Sequence, residues 1–289
     1  MFKKALLILT SCVLVLSFSS CSKTQTEDSV IIKESNNSLN YRLNKASLLK
    51  PVEFKQGGVC VSLNDILYED LLTWFSFDIK NDTDKSYKVS VTDLSVNGIM
   101  YQGIKEEYVD FNTSKKFYFE ISNDWFNTCF IETIKELEFT VRILDEASIE
   151  IASSDALKAL TDAPKKYEQK YDNKGIVVYE NEDVTILSQG LKKSKYSDDE
   201  ELGFFIENNT DSHFYVIADE VYVNDKLLAP SFIVSVGKNK KATESMLFTK
   251  EELNNANIDK ITSVKASFKA IDKSSNTVFK TVLTDIPLK

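Results

Sequence analysis

Histidine is the side chain best suited to move protons or hold a metal near neutral pH, and this chain has one, His213. It follows the turn-forming run Asn208-Asn209-Thr210-Asp211 and reads as a solvent-facing position opening a strand. Any Ser-His-Asp or Cys-His arrangement would have to use it, so nucleophilic catalysis of that kind is disfavoured. Cys60 and Cys129 have no CxxC or HxxxH context, the spacing that a zinc site needs. Two separately packed thiols are the expectation for them, with a disulfide as the alternative. Asp82 and Asp84 start like a calcium loop, but Tyr87 stands at the sixth position, where such a loop turns on glycine. The run Asp198-Asp199-Glu200-Glu201 reads as decoration of a loop, and Gly57-Gly58 lacks the strand, loop and helix of a phosphate cradle. With 44 acidic residues, spacing selects no pair for glycoside hydrolysis. No cofactor and no metal are expected.

One cysteine has a different chemistry. Lys3 and Lys4 precede an apolar run, Ala5 to Leu16, with the charge and length of a signal peptide and too short to span a bilayer. The following Phe18-Ser19-Ser20-Cys21 resembles the lipobox of bacterial lipoproteins, although Phe18 replaces the usual aliphatic residue. The resemblance implies that residues 1–20 are removed and that Cys21 is acylated, holding the protein on the extracytoplasmic face of a cell membrane. Residues 21–46 then read as a tether, since their Ser, Thr, Asn, Lys and Glu content offers little apolar surface to offset ordering. The formal charge is −9 and falls to about −11 without Lys3 and Lys4. Nucleic acid binding and membrane binding through a basic patch are both disfavoured.

The elements that would carry any site emerge from self-comparison. Phe77 to Asp84 (FDIKNDTD) matches Phe204 to Asp211 (FFIENNTD), a shift of 127 that continues through Val96-Asn97 on Val223-Asn224 and Asp145 on Asp272. Upstream, a shift of 125 pairs Val59 and Val61 with Val184 and Ile186. Phe75, Phe77 and Ile79 alternate with Trp74, Ser76 and Asp78, the period of two of a strand with one buried face. Asn81 to Asp84 and its mate are turns, and Asn97-Gly98 and Asn224-Asp225 suit two-residue hairpins. Ser122 and Thr249 are N-cap candidates for one short helix per copy, Thr249 and Glu252 matching a capping box. The reading is all-β: two tandem immunoglobulin-like β-sandwiches at 47–152 and 174–289, joined by a linker at 153–173.

The I-x-N-[ND]-T-D turn, followed by V-x-V-N-[GD], resembles tandem repeats of small, uncharacterised surface lipoproteins of clostridial-type Gram-positive bacteria. The resemblance implies an immunoglobulin-like fold and transfers no catalytic residue. Comparing the copies singles out four aromatics. Trp74, Phe111, Phe117 and Trp125 fall opposite Glu201, Lys238, Glu244 and Glu252, residue types rarely buried without a partner. The four are therefore the candidate interaction surface, for an extracellular protein or glycan. A non-catalytic binding lipoprotein is the leading reading. A cell-surface hydrolase and a structural subunit of an envelope assembly are the alternatives.

Overall fold

The computed structural model describes residues 42–289; the expected signal peptide, Cys21 and the tether up to Tyr41 lie outside the described residues. The first repeat runs β1 (Val52–Gln56), β2 (Val59–Tyr68), β3 (Leu72–Asn81), β4 (Tyr87–Val96), β5 (Ile99–Met100), β6 (Lys105–Val109) and β7 (Thr113–Ser122). It closes with α1 (Asn123–Thr128), β8 (Glu136–Leu144), β9 (Glu150–Ser153) and β10 (Leu157–Leu160). The second repeats this order: β11 (Ile176–Glu180), β12 (Val184–Lys193), β13 (Glu200–Asn208), β14 (Phe214–Val223), β15 (Lys226–Leu228), β16 (Ile233–Val236) and β17 (Lys241–Phe248). Then come α2 (Lys250–Asn255), β18 (Val264–Asp272), β19 (Thr277–Lys280) and β20 (Thr284–Asp285). Each repeat is an immunoglobulin-like sandwich. One sheet of the first is ordered β1-β2-β3-β7, and the other is built on the β4-β8 pair.

Side-chain alternation decides which face of each strand is buried. Phe75, Phe77 and Ile79 point into the first core, with Val89, Val91, Phe139 and Val141 from the opposing sheet. Leu202, Phe204, Ile206, Val216 and Phe268 do the same in the second. The repeated asparagines are structural staples. The Asn208 amide donates to the carbonyls of Ser212 (2.8 Å), Val236 (3.1 Å) and Gly237 (2.9 Å), and its oxygen accepts from the N–H and hydroxyl of Thr210 (2.9 and 2.8 Å). Asn81 forms the same knot with Lys85, Asp110 and Thr83, so the motif closes a turn and ties it to a distant loop. Asn97 and Gly98, like Asn224 and Asp225, all have positive φ, as a two-residue hairpin turn requires. Ser122 and Thr249 cap their helices as expected, accepting from the N–H of Asp124 and Glu252.

Two boundaries differ from the sequence reading. The segment 153–173 is not all linker: β10 pairs antiparallel with β8, and Ala159 is fully buried. The hydroxyl of Ser154 accepts from the Val141 N–H at 2.9 Å, as that of Thr281 accepts from Phe268 at 2.8 Å. The shift of 127 thus carries the first repeat through Leu160, matched with β20. Alternation over four residues was too brief to show it. Likewise residues 42–46, assigned to the tether, are partly packed: Leu43 and Ala46 are buried, and Asn44 bridges to Thr133. Cys60 is half-buried, Cys129 is buried, and both are free thiols; burial pushes the Cys129 thiol up to about 12.

The repeats keep separate hydrophobic cores but share a sheet. Ile99 and Met100 of β5 run parallel to Lys241 and Ala242 of β17, so ten strands from both repeats form one continuous sheet. Met100 is buried in the second core. Lys240 and Glu138 pair across the junction at 3.1 Å, and Asp124 of α1 accepts from Lys195 Nζ (2.6 Å) and the Tyr196 hydroxyl (2.5 Å).

Candidate functional site

A cleft of about 610 Å³ lies at this junction, within the range of small-ligand sites. Its floor is the outer face of the first repeat's second sheet. There Ser90 and Thr92 of β4 stand opposite Arg142 and Thr140 of β8, since residues two apart on a strand share a face. Tyr101, Gln102 and Ile104, in the loop after β5, form one wall, and Tyr215, Ile233, Ser235 and Lys273 of the second repeat form the other. Gln102 fixes the two walls together. Its Nε2 donates to the Ser235 carbonyl (3.1 Å) and its Oε1 accepts from the Ser235 N–H (2.7 Å), satisfying an edge strand as another strand would.

Asp93 is the focus of the electrostatics. The β4 ladder breaks register between Thr92 and Ser95, and Asp93 there has φ +53°, a left-handed conformation that Asp tolerates better than most residues. Its carboxylate accepts from Lys273 Nζ at 2.9 Å and lies 3.8 Å from Nε2 of His213. His213 Nε2 is also 3.0 Å from Ser235 Oγ. Contrary to the expectation of a solvent-facing residue, the His213 side chain is only 14% exposed. The strand it opens abuts the first repeat, a contact that strand alternation does not encode. Burial holds its pKa below the ordinary histidine value despite Asp93, favouring neutral imidazole.

Serine, histidine and aspartate thus meet, but not as a triad. In a triad the base meets the nucleophile through one ring nitrogen and the orienting carboxylate through the other; here Ser235 and Asp93 both approach Nε2. The remaining acids of the cleft are paired as well. Glu150 accepts from Arg142 Nε at 2.5 Å, and Glu106 lies 3.2 Å from Lys88 Nζ. The lining also carries the hydroxyl residues Ser90, Thr92, Thr140 and Ser153, of which Ser153 is exposed and the other three are largely covered, flanked by Tyr101 and Tyr215. Burial raises the pKa of both phenols, keeping them as neutral hydrogen-bonding groups.

The four aromatics proposed from the repeat comparison do not form one surface. Phe117 is only 3% exposed and stacks on Phe77 at 5.0 Å in the first core, so it leaves the candidate surface. Its mate Glu244 stands opposite Phe204, on the core-facing side of β17; a charged mate here did not signal an exposed position. Burial raises the Glu244 carboxyl above the usual range. Phe111, 59% exposed, lies beyond β6 in the turn to β7. Trp74 is half-buried on the outer face of β3, edge-on to Tyr118 at 5.6 Å. Trp125, also half-buried, meets Tyr101 edge-on at 5.3 Å and thereby supports the cleft wall from behind. The sequence reading missed Asp93, Tyr101, Gln102, Arg142, Tyr215 and Lys273. The available signal was the loss of repeat symmetry: Ser90 falls on Ile217 and Gln102 on Ala229.

No protein-family model and no curated protein matches the chain. Among solved structures, red sea bream transglutaminase aligns over 86% of this chain and 32% of its own, at 9% identity and a TM-score of 0.23. Amycolatopsis orientalis exo-chitosanase CsxA aligns over 72% and 25%, at 12% identity and 0.24. The chain thus spans a third of the first and a quarter of the second. A Salmonella enterica SafA pilin in complex with the SafB chaperone aligns over 73% and 89%, at 10% identity and 0.20. Likenesses this distant carry nothing about activity.

Proposed function

We propose that the protein is a lipoprotein, anchored through Cys21 on the extracytoplasmic face of the membrane, that binds a glycan in the cleft between its repeats. The observation that carries this reading is the cleft's lining: hydroxyls from β4, β8 and β9 offer donors and acceptors in a plane, and Tyr101 and Tyr215 offer ring faces. Sugars present that same mixture of hydroxyl edges and apolar C–H faces. Binding is favoured over turnover because each cleft carboxylate has a cation partner, Lys273, Arg142 or Lys88. A general acid needs instead a carboxyl left without such a partner. A glycan hydrolase is the second reading, supported by the presence of Asp93, Glu106 and Glu150 in one cleft.

The test is calorimetric titration of the mature protein against a panel of neutral and acidic oligosaccharides, with chromatography of each mixture after prolonged incubation. Saturable binding of an intact oligosaccharide, weakened at least tenfold by Tyr215→Ala, is the expected result. Shortened products would establish the hydrolase instead. Binding indifferent to Tyr215 would place the site elsewhere.

A further inference from the structure

The strand at the end of a sheet leaves one row of backbone N–H and C=O groups unpaired, ready to pair with another chain. Proteins blunt such edges with proline, with charged side chains or with a covering segment. The first repeat uses all three. Its edge strand β1 is entered from Pro51 and carries the ion pair Glu53–Lys55. At the other end of that sheet β7 exposes Lys115 and Lys116. Beside the edge strand β10, the Leu49 N–H donates to the Leu160 carbonyl at 2.9 Å. In the second repeat the counterpart of β1 is β11, the last strand of the ten-stranded sheet, with no strand on its outer side among the described residues.

β11 lacks these three guards. The shift of 125 that relates the repeats sets Val178 on Glu53 and Glu180 on Lys55. Between Lys174 and Glu180 the chain reads Gly-Ile-Val-Val-Tyr, with neither charge nor proline. Ile176 and Val177 are 48% and 52% exposed. β19 lies alongside, its Phe279 stacked on Tyr179 at 5.1 Å; it exposes Val278, and the exposed Val282 and Leu283 follow it. The register break at Val178 adds local twist to the strand but leaves it apolar throughout.

We propose that β11 pairs antiparallel with β11 of a second copy of this chain, about a two-fold axis at Val177, so that one sheet runs through both molecules. The segment is complementary to itself in that order. Lys174 of each copy meets Glu180 of the other, Ile176 meets Val178, and Val177 meets Val177. Lys174 and Glu180 are both exposed, and neither belongs to an ion pair among the described residues. Opposite charges and β-branched residues set across from one another are the pairs that stabilise neighbouring strands. A two-fold contact uses the same surface on both copies and closes on itself, so assembly stops at the dimer. The pairing does not depend on the glycan reading of the cleft.

The mature chain carrying Cys21→Ser, which has no acylation site, is followed by sedimentation velocity over a range of concentrations. A reversible monomer–dimer equilibrium is expected. Val177→Lys sets two ammonium groups against each other at the axis and should weaken dimerisation at least tenfold. The exposure of Val177 means that the melting temperature of the monomer should stay unchanged. Lys174→Glu and Glu180→Lys should each weaken the dimer at least threefold, and the two together should restore it, because only the antiparallel order sets these positions opposite each other. Leu227→Lys, at an exposed position on β15, should leave dimerisation unchanged. A chain that is monomeric at every concentration, a dimer that survives Val177→Lys, or a double exchange that fails to restore pairing would overturn the proposal.

Discussion

Replacing Gln102 by alanine gives the first repeat the residue that its sister carries at the same position, Ala229. The change removes the two hydrogen bonds that this side chain makes to the backbone of Ser235, at 2.7 and 3.1 Å. Each bond contributes a net ~0.5–1.5 kcal/mol, so the junction should lose about 2 kcal/mol, roughly a 30-fold change in its opening equilibrium. The backbone pairing of β5 with β17 and the burial of Met100 remain, so the repeats stay joined. Amide hydrogen exchange read by NMR resolves the effect. The Ser235 amide should exchange about 30-fold faster, while amides at Phe77 and Phe204, deep in the two cores, keep their rates. Unchanged exchange at Ser235 would mean that Gln102 does not hold the junction. Equal acceleration at Phe77 and Phe204 would mean that the repeats do not have separate cores.

Other expected outcomes test the fold and its charges. Asn208→Ala removes one donor from each of three carbonyls and the acceptor of Thr210 and should cost about 2–4 kcal/mol by denaturant titration. Phe117→Ala should cost about 3–5 kcal/mol, as emptying a core aromatic site does, and Trp74→Ala, on the outer face, should cost less than half of that. Glu244, whose folded pKa is raised by burial, binds its proton more tightly folded than unfolded. Its burial is therefore without penalty below the unfolded carboxyl value and increasingly unfavourable as pH rises through the folded one. Glu244→Gln should stabilise the protein at pH 7 and leave it unchanged at pH 3, measured by melting temperature. His213 has the opposite sense: its folded pKa is lowered by burial, so stability falls as pH drops below the unfolded value of about 6.5, and His213→Gln should remove that slope.

The two sandwiches were legible because a sandwich repeats a local rule. Alternation at Phe75, Phe77 and Ile79 and the twin asparagine turns specify strands and their connections within about ten residues. β10 was hidden, being four residues long and recognisable only through its mate at the end of the chain. The cleft was not legible, since it is made where β4 and β8 of one repeat face β14 and β16 of the other. Nothing in the alternation of either strand records which repeat lies across from its outer face. Comparing the copies drew attention to Trp125, which the structure places edge-on to Tyr101 at the junction. The same comparison failed at Phe117. Glu244 occupies the matching core-facing position of β17, beside the junction and with its carboxylate accepting from the Ser245 N–H at 3.0 Å.

The central claim, that the working site is the space between the repeats, is tested most directly by hydrogen exchange of the mature protein with and without the tightest-binding oligosaccharide of the panel. The account predicts that protection concentrates in peptides covering β4 and the loop from Tyr101 to Ile104 in the first repeat, and β16 in the second, all of which line the cleft. Protection confined to one repeat, or to the outer face of β3 around Trp74, would contradict it.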